Sequence, residues 1–396
     1  MTGLDWLLAG IVMVSGLSVV YHHVLFPMYL KWQVKKQATK SLDTFDGELP
    51  SITIIVPAYN EIAVIASKVR NIASLIYPPE KLSVVIACDG CSDNTSMLAR
   101  QTVMETECLH LSMRVVSTKT NRGKVAVLND TLGDVKSDIV CLSDASAWMS
   151  IDALKQAARH FQNEKVGVVA GTYHLNQPGS AGEAVYWQYQ RKVKEGEAAL
   201  GAPLGVHGAC YFLRTSALRP LPEDTINDDF ILPMRTVIDG YLAKYDPSIV
   251  ALEMEPSNQE MDFSRRCRIA AGNTQQAIRM ASLMLPRHRG IALAFASGKV
   301  LRVIMPYLML VCLIGSAVLA PRSNMFLALL MLQVGAYLSA LFRSFFFAAG
   351  RSRLLDILHY IVVGHTANLI GSLRYLVGLE NGPWTKVSSQ SEQEIL

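Results

Sequence analysis

From Trp6 to Leu30 the chain carries no Asp, Glu, Lys or Arg. A run of that length crosses a hydrocarbon core of ~30 Å as one helix, so this end of the protein folds in lipid rather than in water. The stretch KWQVKKQATK follows it, with no small-residue cleavage site. That marks an uncleaved anchor rather than a leader peptide. Lys31, Lys35, Lys36 and Lys40 place this flank in the cytoplasm and the N-terminus outside. His22 and His23 lie inside the span and read as polar contacts to a neighbouring helix.

Three more apolar stretches close the chain. Val303 to Ala320 and Met325 to Phe342 are full spans, and the short PRSN between them makes a helical hairpin. Ile357 to Leu373 carries His359, His365 and Asn368, so it either spans or lies at the interface. Arg351 and Arg353 favour a cytoplasmic loop before it. Between Gln276 and Leu301, apolar and basic residues mix around Pro286, which suits helices lying flat on the inner leaflet. The expected organisation is an anchor and basic linker at 1–49, a cytoplasmic domain at 50–275, interfacial helices at 276–302, and membrane helices with a tail at 303–396.

The net charge of +4 is too mild for a nucleic-acid binder, and none is expected as a partner. Seven cysteines are scattered; the nearest to a metal spacing are Cys88 and Cys91 in ACDGCSDN. Without a second pair they read as free thiols of a reducing compartment rather than zinc ligands.

Residues 50–275 have a different rhythm. SITIIVP, LSVVIACD, MRVVST, DIVCLSD and VGVVAGTY are strand-like, and stretches of helical period separate the first four. After PAYNE, Ile62, Ile65, Val69 and Ile72 fall on one helix face, with Asn60 placed to cap it. The alternation predicts an α/β domain, a mostly parallel sheet with helices on both faces. Ligands of such sheets bind beyond the carboxyl ends of the strands. Those ends read Pro57-Ala58-Tyr59-Asn60-Glu61, Asp89-Gly90, and Asp144 in IVCLSDASAWMS, with Asn121-Arg122-Gly123-Lys124 before the third helix. Neither GxGxxG after the first strand nor GxxxxGK[ST] is present, which argues against dinucleotide oxidoreductases and P-loop enzymes.

In this order IIVPAYNE, VVIACDGCSDNT, NRGKVAVLN and CLSDASAW resemble an inverting family-2 glycosyltransferase, as do the later GVHGACYFLRTSAL, NDDFILPMRTVIDGYLAKYDP and RRCRIAAGNTQ. The resemblance covers about residues 50–280. The surrounding membrane plan is similar to that family's processive polysaccharide synthases, such as hyaluronan, chitin and cellulose synthases. It implies a GT-A-type nucleotide-sugar domain, a UDP-sugar donor, and Mg2+ or Mn2+ as the cofactor that neutralises the leaving diphosphate. Pro57, Tyr59 and Glu61 would belong to the donor site, with Tyr59 and Glu61 lining the base and ribose pocket. Asp89 would meet the uracil edge, Lys124 the nucleotide end, and Asp144 the metal. Ser146 stands where the family's second Asp would be, which implies a weaker metal site. The tail NGPWTKVSSQ resembles one that often carries a Trp, here Trp384, an interface anchor.

The family's Thr-Glu-Asp motif has an apolar residue three past the Asp and an Arg six past it. Leu232 and Arg235 fit that register, so Asp229 takes the place of the general base and Asp228 that of the Glu. In the single displacement that follows, an α-linked donor gives a β-linkage. Asp229 also reads as a helix cap. RRCRIAAG corresponds to Gln-x-x-Arg-Trp, with Arg265 in the Gln place, Arg268 in the Arg place and Ile269 in the Trp place. Arg268 would contact the diphosphate. The lost Trp leaves acceptor and processivity open, and a membrane-facing basic helix is the plainer reading of Arg265, Arg266 and Arg268. Gly205 and Gly208 would let backbone approach the sugar, with His207 either touching it or simply occupying the loop.

Three readings follow. The first is elongation of a polysaccharide, with membrane lipids around the enzyme and an export or assembly protein as a further partner. The second is single addition of a sugar to a lipid. The third is a non-catalytic sugar-nucleotide-binding assembly partner.

Overall fold

The computed structural model describes residues 2–36, 47–178, 181–255, 259–345 and 353–380. Lys40, Arg351 and Trp384 lie outside them. Two compact units emerge. One takes in Gln33–Gly179 and Tyr186–Met261; the other takes in Met1–Trp32, Ser180–Val185 and Asp262–Glu380.

The first unit is built on an eight-stranded sheet. Its strands are β1 (Ile52–Ala58), β2 (Leu82–Asp89), β3 (Ser112–Thr118), β4 (Ile139–Leu142), β5 (Ala147–Met149), β6 (Val166–Leu175), β7 (Tyr211–Arg214) and β8 (Leu242–Glu253). They lie in the order β3-β2-β1-β4-β7-β6-β8-β5. All five strand-like runs are strands. β1 pairs in parallel with β2 and β4, and β2 with β3. Every residue of β1 is buried, which is why it reads as a continuous apolar run rather than an alternation. Ile65, Val69 and Ile72 of the helix Ile65–Ala73 are fully buried against this layer. Ile62 is not on that face; it is 39% exposed and precedes the helix.

Beyond β4 the sheet becomes mixed. β7 runs antiparallel to both β4 and β6, and β5 antiparallel to β8, while β6 and β8 are parallel. Four of the seven pairings are thus parallel, and the antiparallel ones all belong to the second half of the sheet. β8 tolerates Pro247 because its pairing with β6 shifts register between Ala170 and Thr172.

Among the described residues, three helical runs are long and apolar enough to cross a membrane, and they make up most of the second unit: Gly3–Lys36, whose last residues pass into the first unit, Gly290–Arg322 and Asn324–Phe342. The middle run begins at Gly290, inside the segment expected to lie on the interface. Ala9, Val12, Cys312, Leu319 and Phe326 form its packed centre. Gly315 has no Cβ, and Val12 occupies the space one would need. π-helical turns interrupt the first two runs at Tyr21–Leu25 and Phe295–Val300. They meet through Tyr21 and Ser297, whose hydroxyls are 2.8 Å apart, and through His22 Nδ1 and the Ser297 carbonyl at 2.9 Å. His23 contacts His365 of the helix Arg353–Leu376 at 3.0 Å. Asn368 of that helix donates to the Arg302 carbonyl at 2.9 Å. The polar residues of the ambiguous fourth stretch thus face helix partners.

Candidate active site

The loops after β1 and β2 are knitted together. Asn60 does not cap the following helix, which starts at Ile65 with Val64 at the N-cap and no side-chain bond. Instead Asn60 adopts φ 54, a left-handed conformation that Asn tolerates. Its Oδ1 accepts from the Ser92 N–H at 2.9 Å. The Glu61 N–H donates to Thr95 Oγ1 at 2.8 Å and the Ile62 N–H to Asp93 Oδ2 at 3.2 Å. Pro57 is buried in β1, and Tyr59 and Glu61 stand half-buried just past its end.

Asp89, at the end of β2, is fully buried. Its Oδ1 accepts from the Arg122 N–H at 2.9 Å and from Thr118 Oγ1 at 3.2 Å, and its Oδ2 from the Gly123 N–H at 2.7 Å. The carboxylate therefore folds the NRGK loop. That loop delivers Lys124, the first residue of the helix Lys124–Gly133.

Lys124 Nζ lies 3.3 Å from Asp144 Oδ1 and 3.3 Å from Asp228 Oδ2. Burial works to depress the pKa of this ammonium, but Asp144, Asp228 and Asp229 outweigh it and hold the group charged above its ordinary value. Asp228 is 8% exposed. It serves as the counter-ion of Lys124, although its Oδ2 has no aligned hydrogen bond. Asp144 is about one-third exposed, more accessible than Asp228 or Lys124.

The two loop glycines have different reasons. Gly205 has φ +74, and a Cβ there would stand 2.6 Å from the Phe230 ring, so the fold itself demands glycine. At Gly208 a Cβ would stand 3.1 Å from Asp144 Oδ2, so glycine keeps that carboxylate uncovered. The Val206 N–H donates to the Asp229 carbonyl at 2.9 Å. Asp229 is half-buried in the first turn of the helix Asp228–Ile238, whose N-cap is Asn227, so it is not the cap. An acid in that turn is favoured by the helix dipole.

His207 is stacked on Tyr173, with centroids 3.6 Å apart and planes at 15°. Trp187, on the helix Ala181–Ala199, meets the His207 ring edge-on at 5.2 Å and Tyr173 at 4.5 Å. Neither Tyr173 nor Trp187 carried a sequence signal, because the contact joins two elements without shared periodicity. Tyr211 on β7 was also missed. It is 1% exposed and its hydroxyl has no hydrogen-bond partner. Burial first, then Asp228, Asp229 and Asp144, push its pKa up. Ser146 lies beside Glu253 of β8, whose strand pairs with Ala147; burial raises the pKa of that carboxyl and the Ser146 side chain works against the rise.

Arg265 and Arg268 belong to the other unit, exposed on the helix Gln259–Arg279, and Ile269 is exposed beside them. Arg266, the half-buried member, lies 4.2 Å over the Tyr360 ring.

Among the described residues no group of three or more His, Cys, Asp or Glu side chains is arranged to hold a metal ion. The uncovered Asp144 carboxylate still suits Mg2+ or Mn2+, ions bound through one or two carboxylates with substrate phosphates and water completing the shell. The gap kept open by Gly208 fits that use. All seven cysteines are free thiols.

Residues 50–272 match the model of the family described as "Glycosyltransferase like family 2". A beta-monoglucosyldiacylglycerol synthase from Trichormus variabilis is 32% identical over 208 residues, which are 49% of this chain and 43% of that protein. A poly-beta-1,6-N-acetyl-D-glucosamine synthase from Staphylococcus aureus is 25% identical over 259 residues, 63% of this chain and 61% of that protein. The chain thus spans less than two thirds of the length of either relative. Among solved structures, a mannosyltransferase from Pyrobaculum calidifontis in complex with GDP-Man and Mn2+ superposes with a TM-score of 0.70 at 22% identity, covering 91% of this chain and 99% of that one. At that identity the two share a fold.

Proposed function

The chain belongs to the glycosyltransferase-like family 2, and from that premise we propose that it transfers a sugar from a nucleoside-diphosphate donor, UDP first among them, to an acceptor at a membrane. The observation that carries this reading is the convergence of Asp144, Lys124, Asp228 and Asp229 at the carboxyl end of β4.

In this reading Tyr59 and Glu61 line the nucleoside pocket, and Asp89 acts through the loop it folds. Lys124, held charged by three acids, attracts the diphosphate. Asp144 holds Mg2+ or Mn2+, which when bound neutralises charge on the leaving diphosphate. Asp229 takes the proton of the acceptor hydroxyl as that oxygen attacks the anomeric carbon. Asp228 stays with Lys124 and keeps the ammonium from collapsing onto Asp229. His207, braced by Tyr173 and Trp187, gives the acceptor an aromatic wall. The lysines after the first span support a cytoplasmic catalytic unit.

Elongation of a polysaccharide is the leading product class, supported by the match to the poly-N-acetylglucosamine synthase. Single addition to a lipid is the second reading. Ile269 in the Trp place favours it, as does the likeness to the glucosyldiacylglycerol synthase.

The test is a donor panel of UDP- and GDP-sugars with the membrane-embedded enzyme, scored by nucleotide release and product length. Asp229→Asn is expected to cut turnover about 10²–10⁴-fold while leaving donor affinity and thermal stability in place. A ladder of long products supports the first class, and one glycolipid the second. No release from any donor, together with an Asp229→Asn strain indistinguishable from wild type, leaves the non-catalytic reading.

A further inference from the structure

We infer that Lys68 is a positioning residue for Asp144: its buried ammonium clamps both ends of the turn that presents this carboxylate. The inference rests on the reading of Asp144 given above.

Lys68 lies on the helix Ile65–Ala73, on the same face as Ile65, Val69 and Ile72, and is 0% exposed. Lysine is almost never found at such a position without partners. Its Nζ donates to Ser143 Oγ at 2.6 Å and to the Ala147 carbonyl. These residues bracket Asp144 in the sequence, one before it and one three places after. Ser143 Oγ in turn donates to the Ala209 carbonyl at 2.7 Å. Ala209 follows Gly208, the glycine that leaves Asp144 uncovered. One ammonium therefore fixes the turn of residues 143–147 and, through Ser143, the loop that forms its wall.

Stability alone does not account for this arrangement. Both acceptors of the ammonium are neutral oxygens, and burial works to depress its pKa, with Asp144 and Glu253 among the groups opposing that. A buried charge replaced by an apolar side chain of similar volume is often neutral or stabilising. A methionine of similar length would fill much the same buried space. What it lacks is the ability to hold Ser143 and Ala147 together. The site needs that hold more than a two-carboxylate site would, because Ser146 offers no second acid.

The experiment titrates Mn2+ in the presence of UDP, and separately GDP, following free Mn2+ by its EPR signal. Wild type, Lys68→Met, Ser143→Ala and Asp144→Asn are compared as full chains in detergent, each with a thermal melt. Lys68→Met is expected to weaken Mn2+ binding roughly 10–100-fold, the usual range for outer-shell partners of a metal ligand, with a melting temperature equal to or above wild type. Ser143→Ala, a small change that keeps the ammonium, is expected to weaken it less and decides the matter should Lys68→Met fail to fold. Wild-type affinity in the folded Lys68 and Ser143 variants, beside a loss in Asp144→Asn, overturns the clamp alone. Wild-type affinity in Asp144→Asn overturns the reading of Asp144, and the clamp falls with it.

Discussion

The two halves of the sheet treat their polar strand ends in opposite ways. In the half built from β1 to β4, the polar groups satisfy one another. Asn60 binds Ser92, Thr95 binds both Glu61 and Asp93, and Asp89 binds the Arg122–Gly123 backbone. These motif residues are structural first: they hold the loops after β1 and β2 and the NRGK loop in place. In the half from β5 to β8, the rim carries Asp229 in the first turn of the helix Asp228–Ile238 and His207 in the loop before β7. The two halves meet where β4 pairs with β7, Leu142 opposite Tyr211. Asp144 follows one of these strands and Gly208 precedes the other, with Lys124 joining Asp144 to Asp228 across them. In the proposed reading, motif residues therefore separate into those that shape a site and those that act in it, and Asp144, Lys124 and Asp228 gather at the seam.

That separation predicts its own largest effect at the seam. Asp144→Ala is expected to abolish turnover, a loss of at least about 10²–10³-fold for a group that stabilises developing charge. Ser146→Ala is expected to lose only about tenfold, as an outer partner would. Steady-state kinetics at saturating Mn2+ measures both. An Asp144→Ala enzyme as active as wild type breaks the comparison at its centre.

A smaller effect, and of a different kind, is expected on the wall. Asp89→Asn removes one carboxylate oxygen from a buried set of N–H donors and leaves one of them without an acceptor, about 1–3 kcal/mol. The melting temperature should fall, while kcat per folded molecule stays within about tenfold of wild type. If Asp89 instead reads the base directly, the melting temperature holds and the donor KM rises.

The same division explains what the sequence made visible. β1, β2, β4 and β6 are apolar runs buried along most of their length, and the edge strand β3 shows itself by its β-branched Val115 and Val116 rather than by burial. β5 and β7 are three and four residues long, too short to show any period, and β8 hides its alternation behind Pro247 and a register shift. The grouping of charges in the candidate site was legible where one motif supplies one side chain, as at Asp144, Lys124 and Asp229. The rest of the candidate site was hidden where the contact joins distant segments, as in His207 with Tyr173 and Trp187. Asn60 was misread because a cap and a loop bridge use the same residue type. Lys68 did leave a trace: a lysine sits on the stripe of Ile65, Val69 and Ile72, where the helical period demands burial.

The smallest predicted effect lies at the far end of the same strands and serves as the control. Asp138 joins the amino ends of β1 and β4: its Oδ2 accepts from the Ser51 N–H at 2.8 Å and from Ser51 Oγ at 2.7 Å. The Ser51 hydroxyl and N–H hold its carboxyl below the usual range. A depressed carboxylate contributes stability above its unfolded pKa of ~3.9 and loses it as pH falls through the folded value. The group is exposed, so solvent screening limits the contribution to about 0.5 kcal/mol. Asp138→Asn should therefore lower the melting temperature by about 1–2 °C at pH 7. The gap to wild type should close as the pH is taken below the folded pKa, because the wild-type carboxyl is then neutral as well. Turnover at pH 7 should not change, since the site is built at the opposite ends of these strands. A loss of turnover in Asp138→Asn without a change in melting temperature would mean that the amino ends are coupled to the chemistry, and that the division between wall and seam is drawn in the wrong place.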